Sequence, residues 1–200
     1  KVISLSNLKK DFFNISKKYN MEFSFFDMSK KQKVLVMVSK FGHCLNNILY
    51  QWKTGSLNCE IPMIVSNHLD MKEIVKPYDI KNNLLSENKS NKPKQEKKLY
   101  ELILKNKIDL VVLARYMQVL SPDFCKILEG KIINIHHSFL PSFKGARPYN
   151  QAYLRGVKII GATAHYVTNK LDEGQIIEQD VARVDHTKRL ENFVSIGRDI

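Results

Sequence analysis

The segment 131–145 contains polar side chains whose types and spacing could polarise a carbonyl group and move a proton. It reads Lys-Ile-Ile-Asn-Ile-His-His-Ser-Phe-Leu-Pro-Ser-Phe-Lys-Gly, so that Asn134 and His136 interrupt an apolar segment at alternate positions. Alternate side chains of a strand share one face, and these two should therefore project together. Farther along the chain, His165 and Asp172 precede a glycine. An amide, an imidazole and a carboxylate together can stabilise an oxyanion and accept a proton.

Each of these residues also has a structural interpretation. A single histidine beside a strand is usually structural, and an aspartate close to a glycine is common in turns. Two polar side chains buried on one strand face would need dedicated hydrogen-bond partners, which favours a functional role for Asn134 and His136. His137 should point away from His136, so the pair is a poor metal clamp, and His137 would support the loop or orient a water. His165 is expected to support Asp172 rather than to donate a proton.

The segments around these residues indicate an α/β fold. Apolar runs typical of strands buried on both faces of a sheet occur at residues 33–39, 59–66 and 108–114. Segments with helical spacing alternate with strands, at residues 45–52, 99–107 and 148–156. The alternation predicts an open, mostly parallel, twisted sheet with helices on both faces and right-handed crossovers. Two further strands, 159–167 and 175–181, would flank the turn that holds Asp172.

The amino-terminal residues are expected to form a separate piece. Helical spacing at 5–19 is followed by strand-like alternation at 21–26, and a polar linker then leads into the main domain. We therefore predict a boundary near residue 30, with residues 31–200 as the main domain. The last helix begins at Thr187 and has no recognisable end, which favours a main domain truncated at its carboxyl end.

Composition restricts the class of protein. With 200 residues, of which 44% are hydrophobic, the chain can bury one good core, and no apolar run reaches membrane-spanning length. The three cysteines, Cys44, Cys59 and Cys125, are widely spaced, which argues for a reducing, cytoplasmic setting without a zinc motif. The net charge of +12 could indicate an anionic partner, but the lysines are scattered and nucleic-acid binding is not expected. Residues 86–98 are low in apolar content and are predicted to form a solvated loop before a helix.

The combined motifs resemble those of a known family. Asn-x-His, followed by a later His-x-Val-x-x-x-x-Asp-x-Gly, resembles the catalytic domain of the folate-dependent formyltransferases. The longer sequence Asn-Ile-His-His-Ser-Phe-Leu-Pro, followed by Gly-Ala-Arg-Pro-Tyr, is similar to the formyltetrahydrofolate deformylases of that superfamily. The likeness covers nearly all of residues 33–185. It implies a formyltransferase-like, Rossmann-type fold and makes residues 1–30 the end of an ACT-like α+β regulatory domain.

The resemblance also implies a reaction, namely hydrolysis of 10-formyltetrahydrofolate to tetrahydrofolate and formate, with the formate serving purine synthesis. Asn134, His136 and Asp172 would be catalytic, supported by His137 and His165. The folate is then the small-molecule substrate of a cytoplasmic, homo-oligomeric enzyme that needs no cofactor, metal, nucleic acid or membrane. When the folate-binding positions of the family are matched to this sequence, the residues that would line the folate pocket are Arg115, Tyr116, Met117, Gln118, Val119, Leu120 and Thr168.

Three alternatives stay open from the sequence alone. Related enzymes transfer the formyl group to glycinamide ribonucleotide, but the segment 40–44, Lys-Phe-Gly-His-Cys, lacks the glycine- and asparagine-rich loop of those transformylases. Transfer to methionyl-tRNA is disfavoured by the sequence His-His-Ser at residues 136–138 and by the absence of an RNA-binding domain after the motifs. A non-catalytic folate-sensing or RNA-binding module is supported only by the basic charge.

Overall fold

A computed structural model describes residues 3–27, 29–86, 88, 90–145 and 147–200, and the chain divides into two compact units that meet at residues 31 and 32. The first unit contains α1 (Leu5–Tyr19), with the predicted bounds and with Ser4 as its amino-terminal cap. The strand predicted at 21–26 is wrong, because these residues pair with no strand among those described. Three rings instead pack edge to face at centroid distances of 5.0 to 5.6 Å, those of Phe12, Phe23 and Phe25.

In its described part, the second unit is built on a seven-stranded sheet with the order β3-β2-β1-β4-β5-β6-β7. The strands are β1 (Gln32–Val38), β2 (Cys59–Ser66), β3 (Lys81–Leu84), β4 (Leu110–Leu113), β5 (Ile132–His136), β6 (Ile159–Tyr166) and β7 (Ile176–Arg183). All pairs from β3 to β5 are parallel, and β6 and β7 add two antiparallel pairs. The predicted mostly parallel sheet is therefore confirmed. The edge strand β3 escaped prediction because its sequence, Lys-Asn-Asn-Leu, is almost entirely polar.

Helices cover both faces of this sheet, as predicted. They are α2 (His43–Lys53), α3 (Met71–Val75), α4 (Lys92–Asn106), α5 (Pro122–Ile127), α6 (Pro148–Leu154) and α7 (Leu190–Asp199). The solvated loop predicted at 86–98 is wrong from Lys92 onward, because α4 begins there with Pro93 in its first turn. Proline is well tolerated at that place, and the lysines and glutamate that follow are good helix formers. Within the predicted loop, Glu87 and Lys89 lie outside the described residues.

The continuous apolar run of β1 is explained by its two covered faces. Leu35 and Met37 pack in a core that includes side chains of α4 and α5, whereas Val36 and Val38 pack with side chains of α2 and α3. These four side chains are completely buried. Burial of one such side chain contributes about 1.5–3 kcal/mol, so the centre of the sheet is a rigid base for the loops at its edge.

The loops at the carboxyl ends of β1 and β4 define a place where a ligand can bind. The chain proceeds from β1 to β2 on one side and later returns to β4 on the other, which makes this the switch point of the sheet. Ser39 joins the two loops, since its backbone N–H donates to Arg115 O at 3.2 Å and its hydroxyl accepts from Met117 N at 2.9 Å. Across the described residues, no helix has the length and apolar character needed to cross a membrane.

Candidate active site

A cavity of about 280 Å³ lies at the carboxyl ends of β4 and β5, and we call it the first cavity. The structure brings Asn134, His136, His165 and Asp172 together in its wall. All seven residues that the resemblance assigns to the folate pocket also line it, namely Arg115, Tyr116, Met117, Gln118, Val119, Leu120 and Thr168. The positions predicted from two separated motifs and one strand end therefore meet in one place.

Asn134 is oriented by His165 on the neighbouring strand. β5 and β6 are antiparallel, and their register places Asn134 directly opposite His165. His165 Nδ1 lies 2.9 Å from Tyr166 O, so this nitrogen carries the proton and donates, and Nε2 is left as an acceptor. Asn134 Nδ2 lies 3.3 Å from His165 Nε2 and donates one of its two hydrogens there. The second N–H of the amide stays available to a ligand oxygen in the first cavity.

His136 lies between two oxygen acceptors. Its Nδ1 is 3.5 Å from Asp172 Oδ1, and its Nε2 is 3.3 Å from Phe143 O. Only a doubly protonated ring could donate to both oxygens. Burial opposes that state and lowers the pKa of His136 below its ordinary value, and the opposite effects of Asp172 and Phe143 O do not cancel it. A ligand oxygen that gains negative charge beside this ring would therefore favour the protonated form.

Asp172 is held by the backbone around it. Its side chain accepts from Gly145 N at 3.1 Å through Oδ2, and the residue adopts a left-handed conformation with φ of 55°. The turn needs Gly174, because a Cβ atom there would lie 1.6 Å from Tyr166 O. The expected pairing of His165 with Asp172 is loose, since Nε2 and Oδ1 are 3.8 Å apart and the closer contact of His165 is Asn134.

His137 contacts a residue that sequence reasoning did not link to it. Arg115 Nη1 lies 2.6 Å from His137 Nδ1, and the guanidinium is the donor. Burial and the nearby charge of Arg115 lower the pKa of His137 to about 3, so the ring is neutral near pH 7. The ring lines the first cavity together with His136, although strand alternation predicted that the two rings point apart. The reason is that β5 ends at His136, so alternation no longer holds at His137.

Two residues that contact His136 and Asp172 were missed because their own side chains carry no signal for this chemistry. Phe143 acts through its backbone oxygen and Gly145 through its backbone N–H. Their position inside the run 131–145 was the available clue. Among the described residues, no group of three or more His, Cys, Asp and Glu side chains is arranged to hold a metal ion.

The sequence is similar to those of known formyl transferases. The family model described as formyl transferase matches residues 32–199. Formyltetrahydrofolate deformylase of Bacillus subtilis (strain 168) is 48% identical over 195 residues, which cover 98% of this chain and 65% of that protein. The chain therefore spans just under two thirds of the length of this curated relative.

Two solved structures share the fold. A crystal structure of a formyltetrahydrofolate deformylase from Pseudomonas syringae pv. tomato superposes with a TM-score of 0.92 at 43% identity, covering 99% of this chain and 66% of that one. A phosphoribosylglycinamide formyltransferase from Anaplasma phagocytophilum gives a TM-score of 0.77 at 33% identity, covering 85% of this chain and 81% of that one. Similarity in sequence and in fold is thus greater toward the first of these two enzymes.

The lowered pKa of His137 predicts an acid-sensitive fold. Between about pH 6.5 and about pH 3, the unfolded chain binds a proton on this ring that the folded chain does not, so stability falls as the pH falls. The slope from this residue approaches about 1.4 kcal/mol per pH unit. His137→Asn, which keeps an acceptor for Arg115, should therefore lose less unfolding free energy than the wild type between pH 7 and pH 5 in urea titrations.

The matched control for that experiment is His186→Asn, which replaces an exposed imidazole outside the first cavity. Equal pH dependence in the His137→Asn variant and the wild type would show that burial does not keep His137 neutral.

Proposed function

Because the chain belongs to the formyl transferase family, we propose that it hydrolyses 10-formyltetrahydrofolate to tetrahydrofolate and formate. The main support is that Asn134, His136 and Asp172 lie together in one wall of the first cavity, where a folate ring could bind. His136 is 5% exposed and Asp172 is 8% exposed, so both act in an environment of low polarity where their interactions are strong. The 48% identity to a formyltetrahydrofolate deformylase supports hydrolysis as the outcome.

The amide and the imidazole would stabilise the oxyanion. When water attacks the formyl carbon, the carbonyl oxygen becomes negatively charged and needs donors that are already in place. Asn134 supplies the N–H that His165 leaves available, and His136 supplies Nε2–H, whose 3.3 Å contact with Phe143 O is long enough to be exchanged. Loss of one oxyanion donor typically costs about 3 kcal/mol, a hundredfold or more in rate.

Asp172 would act as the general base. Its carboxylate is anchored by Gly145 N through one oxygen, and the other oxygen faces His136 Nδ1 at 3.5 Å. A water held beside this second oxygen can give up its proton as it attacks. The tetrahedral intermediate then collapses, and the bond between the formyl carbon and N10 breaks as Asp172 passes the proton it took from water to the nitrogen. The product leaves as formic acid and gives its remaining proton to solvent, which makes it formate.

The wall after β4 would bind the folate ring. Tyr116 and Leu120 are largely buried there, and Met117 and Val119 are exposed on the surface of the loop. Apolar side chains around a few backbone polar groups are typical of a pocket for a planar heterocycle. Glu96 on α4 fixes the end of this loop, since its carboxylate accepts from Ser121 N at 2.7 Å.

Formyl transfer to an amine is the nearest alternative. Transfer and hydrolysis need the same oxyanion donors and differ in the nucleophile that reaches the formyl carbon. The segment after β1 supports hydrolysis, because Phe41, Gly42 and His43 stand where a glycine- and asparagine-rich loop would be needed for a sugar phosphate. The experiment that separates the two is formate release in the absence of any acceptor.

Five broader properties belong to the same proposal. We propose that residues 1–30 are the end of an ACT-like regulatory domain and that residues 31–200 form the catalytic domain. The enzyme would act in the cytoplasm as a homo-oligomer, and it would need no cofactor beyond its folate substrate.

Asp172→Asn tests the role of the general base. The amide keeps the shape of the side chain but cannot accept a proton from water, so hydrolysis should fall by at least about a hundredfold while folate affinity stays within a few fold. Formate release and folate binding should be measured on the same preparation. Glu173→Gln is the matched control, because it neutralises an adjacent carboxylate that is paired with Lys144 on the surface. Near-normal hydrolysis by Asp172→Asn would remove Asp172 from the mechanism.

His137→Ala tests whether the second histidine positions the water. The variant should hydrolyse well below the wild-type rate but faster than His136→Ala, with little change in folate affinity. A purely structural role would instead lower the melting temperature and leave the activity per folded molecule unchanged. Melting temperature and formate release measured together distinguish the two roles.

A further inference from the structure

A second cavity of about 480 Å³ adjoins the first. Arg115, Met117 and His137 line both cavities and form the wall between them. The His137 ring lies 5.6 Å from the His136 ring on one side and 5.6 Å from the Tyr149 ring on the other, measured between centroids. The His137 side chain thus separates the second cavity from His136, which belongs to the proposed reaction site.

The wall of the second cavity carries positive charge. Arg115, Arg147 and Arg198 line it, and none of the other described lining residues is Asp or Glu. Burial raises the pKa of Tyr149 to about 12, so its hydroxyl stays neutral and donates to Gly197 O at 2.8 Å. Burial also lowers the pKa of His43, which leaves the arginines as the charged groups.

Arg115 is held at the wall between the cavities despite a conformational cost. Its φ is 61°, in the left-handed region that costs a side-chain-bearing residue about 1–2 kcal/mol. Its Nη1 donates to the neutral ring of His137, and its buried Nε has no hydrogen-bond partner within the described part of the chain. No carboxylate of the described residues forms an ion pair with it, so an anion from outside the chain could supply a counter-charge.

The proposed reaction produces an anion at this place. Formate would form beside the carboxylate of Asp172, which repels it, while tetrahydrofolate still fills the first cavity. The wall beyond His137 leads away from the folate and toward the three guanidinium groups. Guanidinium groups bind carboxylates well because their N–H donors match the two oxygens.

We propose that the second cavity is an anion-binding vestibule that receives formate as it leaves the first cavity, with Arg115 in the wall that the two cavities share and Arg147 and Arg198 in its exposed wall. This inference rests on the proposed hydrolysis for the identity of its ligand. The arginine wall would take another small carboxylate or a phosphate by the same chemistry, and the test therefore includes phosphate.

The first experiment measures binding without catalysis. The relaxation of ¹³C-labelled formate is followed by NMR as protein is added, with no folate present. The wild type should bind formate saturably, and the double variant Arg147→Gln/Arg198→Gln should bind it about tenfold more weakly. Both arginines are exposed, so this variant should fold. Arg183→Gln removes one exposed arginine from β7, outside the cavity, and should bind formate like the wild type.

The second experiment measures formate as an inhibitor of folate hydrolysis. The inhibition constant for formate should rise about tenfold in the double variant and stay unchanged in Arg183→Gln. Hydrolysis without saturable formate binding, or equal binding by the double variant, would overturn the vestibule and leave the proposed function standing. Formate binding without hydrolysis would overturn the proposed function instead. Displacement of formate by at least tenfold less inorganic phosphate would overturn formate as the ligand in favour of a phosphorylated one.

Discussion

The buried contact between His136 and Asp172 is the interaction on which the rest of the site depends. An imidazole and a carboxylate 3.5 Å apart, both largely removed from water, are costly to bury unless each has further partners. Phe143 O supplies one for the ring, and Gly145 N supplies one for the carboxylate. Because both partners are backbone atoms of the segment after β5, that segment must keep its path for the pair to exist.

Backbone strain is concentrated where this pair is assembled. Among the described residues, four of the seven non-glycine residues with positive φ line the two cavities or contact His136, with φ between 53° and 61°, namely Arg115, Phe143, Arg147 and Asp172. Left-handed residues of this kind cost about 1–2 kcal/mol each and persist only when their surroundings hold them. The rigid centre of the sheet provides that support, because β1 and β4 are buried on both faces directly beneath the loops. The burial of plain apolar strands thus stabilises a loop geometry that would not persist alone.

The elements that could be predicted from the sequence are those whose formation depends on residues close together in the chain. Apolar runs with the right length identified β1, β2 and β4, and alternation identified Asn134 and His136 as neighbours on β5. The polar edge strand β3 was missed because tertiary pairing outweighs its weak local pattern. The early start of α4 was missed because low apolar content was given more weight than the helix propensity of its lysines and glutamate. The Arg115–His137 contact and the second cavity join positions far apart in sequence, and only the fold brings them together. Backbone groups such as Phe143 O act without regard to side-chain type, so no residue pattern could reveal them.

We propose that water, and not an amine, attacks the formyl carbon in the first cavity. The nucleophile is identified by one round of reaction in water enriched in ¹⁸O, with 10-formyltetrahydrofolate as the only other substrate, followed by mass spectrometry of the formate. Attack by water should place one ¹⁸O atom in each formate, and formate should be released in equal amount with tetrahydrofolate. Unlabelled formate, or loss of the formyl group only when an amine acceptor is added, would contradict it.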